Sequence, residues 1–406
     1  MNATTRNREE IAVIALVGYA HAVSHFFHLM IPPLFPWLMK DFDLSFTEAG
    51  FLMTTFFVVS GIGQALAGFV VDRTGTRPVL FAGVLMLTLS GIALGLAYSY
   101  PMLLIAAALA GAGNSVFHPA DFTLLNHRIS LPRLGHAFSV HGLAGNLGWA
   151  AAPLVMTSVA VFYGWRMAGF AAALIGFATL LLLYYARTYL KVTRENVAVP
   201  ERDSLHSTTR AGFGAEFLRS PVVWLCFGFF LLSTSAFGAL QNYATASLQN
   251  IYSLSLAGAA SCLIAYLLGG AVGIALGGFI AARQAQDRII AAGLSMAAAI
   301  SLLLACGVVA TWSVLPLMTA MGACVGMAGP SRDLLVRKAA MQGLGKASFG
   351  RVYGFVYSGL DVGLALAPLI FGPLMDGRQF NVLWVGVALL QALAVISALQ
   401  VGRGVR

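Results

Sequence analysis

Residues 135–154, GHAFSVHGLAGNLGWAAAPL, return in the second half of the chain as GRVYGFVYSGLDVGLALAPL over residues 350–369. Gly135 falls on Gly350, Asn146 on Asp361, Gly148 on Gly363, Ala152 on Ala367 and Pro153 on Pro368. A second echo runs in the same order and at nearly the same spacing: GFVVDR at 68–73 recurs as GFIAAR at 278–283. Two ordered echoes mean that one half has been duplicated, so the fold must be built from two copies of one bundle.

The solvent of that bundle follows from composition. Of 406 residues 59% are hydrophobic and only 10% charged, where a soluble protein carries about 25%. Apolar runs long enough to span a bilayer, about 20 residues each, fall near 11–38, 45–71, 77–98, 101–127, 134–162 and 166–190. Six more fall near 221–246, 254–282, 288–309, 312–338, 348–374 and 380–401. These twelve runs, numbered here as spans 1 to 12, predict an all-α membrane protein of two pseudo-symmetric six-helix bundles. The first bundle is expected over 1–190 and the second over 220–406. A polar linker joins them over 191–219, too short for a core of its own. The apolar run of span 1 continues past Pro32 and Pro33 with no small-residue cleavage site, which predicts a retained helix rather than a signal peptide. The four cysteines lie within or beside apolar runs without CxxC spacing and predict buried small hydrophobes, not disulfides.

Lys and Arg set the orientation. With both termini inside, only Lys40, Arg166 and Arg378 of the 24 basic residues fall in outward loops, so termini and linker are expected to be cytoplasmic. The net charge of +9 is thereby a property of loops against a lipid surface, and no nucleic-acid partner is expected.

The loop after span 2 reads GFVVDRTGTR over 68–77. It resembles the GxxxDRxGRR loop of the major facilitator superfamily at Gly68, Asp72, Arg73, Gly75 and Arg77. The resemblance implies the fold of that family and a cytoplasmic latch between the halves. Gly68 would let spans 2 and 11 approach, and Asp72 would face the positive N-terminus of span 11 with Arg351 as its side-chain partner. Ala282 stands where Asp72 does in the second copy, so the latch is expected to work from the first half alone. Within the first half, SHFFHLMIPPLFPWL (24–38), GAGNSVFHPAD (111–121) and the stretch 135–154 are similar to the fosmidomycin-resistance branch, whose members are drug exporters. This implies efflux by proton antiport from a bacterial inner (plasma) membrane by a chain acting as a monomer. No cofactor is implied.

Ionisable and polar groups inside a bilayer are functional candidates by default. His21, His25 and His28 follow i, i+4, i+7, which places them on one face of span 1 over about 10 Å. Asn114, His118 and Asp121 lie on span 4, where Pro119 frees a carbonyl and His118 and Asp121 are close enough to share a proton. His141 on span 5 is expected level with them. Asn146 and Asp361 hold equivalent places in the repeat near mid-membrane, with Asp361 as a proton site. Gln241 and Asn242, beside Tyr243 on span 7, suit substrate hydrogen bonds, and Arg332 on span 10 either binds an anionic group or snorkels.

No G-x-x-x-x-G-K-[ST] loop and no HExxH motif occurs, so neither an ATP-driven pump nor an intramembrane metalloprotease is indicated, and the chain is expected not to be an enzyme. A secondary transporter working by alternating access fits, with a membrane sensor as the competing class. Three cargo classes stay open. They are export of a small drug-like or anionic solute, proton-coupled import of a small carboxylate, and transport of a transition metal or its chelate through His21, His25 and His28.

Overall fold

The computed structural model describes residues 3–190, 219–281, 286–344 and 349–404. Twelve stretches among them are helical, long and apolar enough to cross a bilayer, from Asn7–Phe42 to Phe380–Gly404, and no strand occurs among the described residues. The bounds agree with the hydropathy reading to within a few residues for most ends. The larger differences are at span 7, whose helix runs on to Tyr252, and at span 10, whose helix runs on to Leu344; the helix of span 11 begins at Phe349. Most of the linker, and the pairing of Asp72 with Arg351, lie outside the described residues.

Two spans that read as continuous are broken. Span 1 is an α-helix to His28, a short 3-10 turn at Pro32–Leu34 and a second α-helix over Phe35–Phe42. Pro32 and Pro33 bring no N–H to the carbonyls one turn back, so the helix cannot continue through them. Span 4 is likewise two helices, Tyr100–Asn114 and Phe117–Arg128. Pro119 leaves the Ser115 carbonyl without its helical partner, and the chain turns at Ser115–Val116. Both breaks lie deep in the protein, where irregular backbone is tolerated in a membrane chain.

The outer surface is apolar: Ile62, Phe69, Phe162, Phe279 and Trp312 are all largely exposed, as a lipid-facing surface requires. Inside, small residues let backbones touch. Spans 8 and 10 are packed so closely that a Cβ on Gly322 would lie 1.9 Å from the Tyr266 carbonyl, and one on Gly326 2.1 Å from that of Gly270.

The two bundles meet along spans 2 and 11, and they meet unevenly. At the end away from the chain termini, Asp376 accepts from Phe46 N (2.5 Å), Thr47 N (3.1 Å) and Thr47 Oγ1 (2.5 Å). A carboxylate here faces the positive N-terminus of span 2, whose first turn also has a Ser45–Glu48 capping box. Tyr243 of span 7 donates between the carbonyls of Phe46 (3.1 Å) and Pro368 (3.2 Å), and Thr54 Oγ1 donates to the Ala365 carbonyl. At the other end no such bond joins spans 2 and 11 among the described residues. A Cβ on Gly68 would meet nothing within 4 Å, so Gly68 does not bring span 2 against span 11 in this state. Gly75 instead serves the turn into span 3, with φ of +86° that a side chain would strain. Arg73 is exposed, and among the described residues neither it nor Arg77 pairs with the second half.

Candidate functional site

A cavity of about 1000 Å³ lies between the halves and extends to Phe138 and Arg332, toward the face that bears both termini. Span 1 contributes His21 and His25, span 4 His118 and span 5 His141, Asn146 and Trp149. The facing wall, from spans 7, 8, 10 and 11, is built mainly of glycine and apolar side chains, with Ser233, Thr234, Tyr266, Tyr357 and Arg332 as its polar groups.

The histidines form one connected cluster. The i, i+4, i+7 spacing of span 1 sets its rings in series, tilted at 4.3 Å between centroids for His21–His25 and stacked at 4.7 Å for His25–His28. His21 also stacks on His141 at 3.5 Å and meets the His118 ring edge at 5.3 Å. Gly145 makes room for this: a Cβ there would lie 2.7 Å from His25 Nδ1 and 3.0 Å from His21 Nε2. Gly148 allows span 5 to lie directly on span 1, since a Cβ would come 2.0 Å from the Ala22 carbonyl.

Asp121 anchors one end, fully buried behind the cavity wall. Its Oδ2 is 3.1 Å from His141 Nε2 and 3.5 Å from His21 Nδ1. The i, i+3 reading of His118 with Asp121 is thus corrected. Asp121 bonds across to spans 5 and 1, while His118 donates from Nδ1 to Gln64 Oε1 on span 2 at 2.8 Å. The cross-span partners fix where each side chain points. At the other end His28 lies behind the cavity wall, donating to Asn114 Oδ1 at 2.7 Å. Asn114 Oδ1 also accepts from Ser24 and its Nδ2 donates to Ser60.

Three expected members are placed elsewhere. Asp361 does not line the cavity; it turns into the seam between spans 2 and 11, where a Cβ on Gly61 would lie 3.4 Å from its own Cβ. Gln241 and Asn242 are buried under the sealed face, outside the cavity, with Asn242 Nδ2 bonded to the Gly238 carbonyl. Arg332 does reach the cavity wall, with its guanidinium carbon 4.7 Å above the Phe230 ring. Cys226 and Cys262 are buried as expected, but Cys306 is exposed.

Sequence reasoning passed over Trp149, whose ring lies 4.3 Å from that of His25, and Gln64, which fixes His118. A signal existed for both. Trp149 lies inside the repeated stretch, and Gln64 is the one amide side chain in span 2. Chemically, the wall can hold and pass protons among imidazoles and one carboxylate. It also offers two sets of metal donors, His21 with His25 and His118, and His21 with Asp121 and His141, each with ligand atoms within 4.8 Å of one another.

Comparison with known proteins places the architecture. The sequence pattern of the Major Facilitator Superfamily matches residues 17–368. An uncharacterized MFS-type transporter, YfnC of Bacillus subtilis (strain 168), is 26% identical over 95% of this chain and 92% of its own. The fosmidomycin resistance protein of Escherichia coli (strain K12) is 30% identical, over 51% of each chain. Among solved structures, a bacterial homologue of the human lysosomal transporter Spinster, in an inward-facing and unoccupied conformation, superposes with a TM-score of 0.74. It does so over 98% of this chain and 96% of its own at 14% identity, a likeness of fold.

Proposed function

The chain belongs to the Major Facilitator Superfamily, and from that premise we propose that it is a proton-coupled secondary transporter that exports a small drug-like or anionic organic solute. The observation that carries the reading is the line of imidazoles ending on Asp121 along one wall of a cavity that extends toward the face bearing the termini. A buried carboxylate held by two histidines is a place to keep a proton, and the rings of His21, His25 and His28 extend that place along the wall. The facing wall gives a cargo an apolar surface, and Arg332 gives an anionic group a partner. Alternating access then requires the seal at Tyr243 and Asp376 to open while the opposite mouth closes. The fosmidomycin resistance protein, similar over half the chain, supports export. The basic residues of the loops support termini on the cytoplasmic side of a bacterial inner membrane, with the chain acting as a monomer without nucleic-acid partners.

The test is reconstitution in proteoliposomes with an imposed pH gradient and a panel of drug-like and anionic solutes. Cargo movement should follow the pH gradient and collapse with a protonophore. Transport that ignores the protonophore and follows a sodium gradient overturns the coupling, and movement only down the proton gradient in symport overturns export.

A further inference from the structure

The histidine wall also carries the donor set of a metal site, best formed around Asp121. An ion held at about 2.0–2.1 Å by tetrahedral nitrogen and oxygen donors keeps those donors about 3.3 Å apart. The distances from Asp121 Oδ2 to His141 Nε2, 3.1 Å, and to His21 Nδ1, 3.5 Å, bracket that value. Both ring nitrogens therefore converge on one carboxylate oxygen, and small side-chain rotations would admit an ion between them. Several polar atoms here lack partners: Asp121 Oδ1, His21 Nδ1 and both ring nitrogens of His25 are buried without a hydrogen bond.

We infer that His21, Asp121 and His141 bind a divalent transition metal ion of the zinc and cobalt class, with the fourth coordination position turned to the cavity. Two imidazoles and a carboxylate select that class. Magnesium and calcium take shells of oxygen, and copper(I) takes sulfur, which is absent from the cavity lining among the described residues. Structural zinc sites are closed by four protein ligands, whereas sites with three keep a position for an exchanging ligand. His21 and His141 face the cavity with Asp121 buried behind them, so the remaining position opens onto the cargo path. It suits an oxygen or nitrogen donor of an anionic cargo. The inference rests on the reading of the cavity as the cargo path and is independent of the coupling ion.

Co²⁺ titrated into the purified full chain in detergent provides the test, read from its visible d–d bands. One ion per chain is expected, with the intense bands of four-coordinate cobalt, displaced by Zn²⁺. Asp121→Asn and His141→Gln should each weaken binding by roughly 100-fold or more. His136→Gln, which changes an exposed histidine of the same span, should leave it unaltered. Melting of each variant without metal reports whether the fold is kept. A wild-type chain that binds no Co²⁺, or binds it with the faint bands of six-coordinate cobalt, overturns the inference whatever the variants do. So does binding of wild-type strength in both folded variants, Asp121→Asn and His141→Gln. A chain that moves an organic solute in a protonophore-sensitive way and binds no Co²⁺ loses the metal site and keeps the proposed function.

Discussion

On the first-half wall of the cavity stand His21, His25, His118 and His141; on the second-half wall stand Gly322, Gly326, Gly329 and Leu364. The halves descend from one repeat, yet the register that pairs Gly148 with Gly363 and Pro153 with Pro368 pairs His141 with Val356, a buried hydrophobe. Duplication kept the glycines and prolines that shape the helices and left the histidines of the cavity in one copy. The first half holds the imidazole cluster, and the second supplies a mainly glycine and apolar surface with Tyr266, Arg332 and Tyr357 among its polar groups. Gly145 leaves space for imidazoles, whereas Gly148, Gly322 and Gly326 let two backbones touch.

The comparison breaks most sharply at Asp121. Asp121→Asn removes the buried charge that His21 and His141 face, a loss of about 3–5 kcal/mol. Where that loss falls on the transport cycle, the rate should drop by roughly 100-fold or more, measured in proteoliposomes at matched protein content. A folded variant that retains normal transport would show that the first-half cluster is scaffold.

Next come the glycines. Gly322→Ala should lower thermal stability by about 1–3 kcal/mol or more, because backbone cannot yield to the new methyl. Gly145→Ala should leave melting nearly unchanged and cut transport, since its methyl meets histidine side chains that can move. Equal stability losses from the two would erase the distinction between the walls.

Asp376→Asn tests the seal that joins them. Loss of a charge at the start of span 2 is worth about 0.3–2 kcal/mol, enough for up to roughly thirtyfold change in the ratio of open to closed states at that face. Distances between spin labels across the sealed end should lengthen, and an unchanged distance distribution would remove Asp376 from the seal.

The smallest effect is expected at Asp361. It lies outside the cavity and makes no hydrogen bond among the described residues, so Asp361→Asn should change stability by no more than about 0.5 kcal/mol and transport by less than twofold. A transport loss like that of Asp121→Asn would put a second proton site in the seam and end the one-sided picture.

Much of the fold was legible because hydropathy and repetition act along the chain. Span number, span ends and the shared face of His21, His25 and His28 depend on length and helical period, which a sequence displays directly. The site was legible in part. Residues of span 1 that share a face stay together, but which neighbour they meet depends on how helices rotate in the bundle. In span 5 Gly142, Asn146 and Trp149 all line the cavity; their mates in span 11 are Tyr357, Asp361 and Leu364, of which only the first and last do. A small turn of one helix is enough to send Asp361 into the seam. Which neighbours are met across spans likewise decided that Asp121 found His141 and His118 found Gln64.

The seal at Tyr243 and Asp376 has a consequence for how the sequence can drift. Tyr243 binds two carbonyl oxygens, and Asp376 binds two amide N–H groups besides one hydroxyl. Every residue except proline brings an amide N–H, and every residue brings a carbonyl. Phe46 and Pro368 can therefore change identity without breaking the bonds they take part in, while Tyr243 and Asp376 cannot. Variation at this face should be tolerated on the side that is read and forbidden on the side that reads.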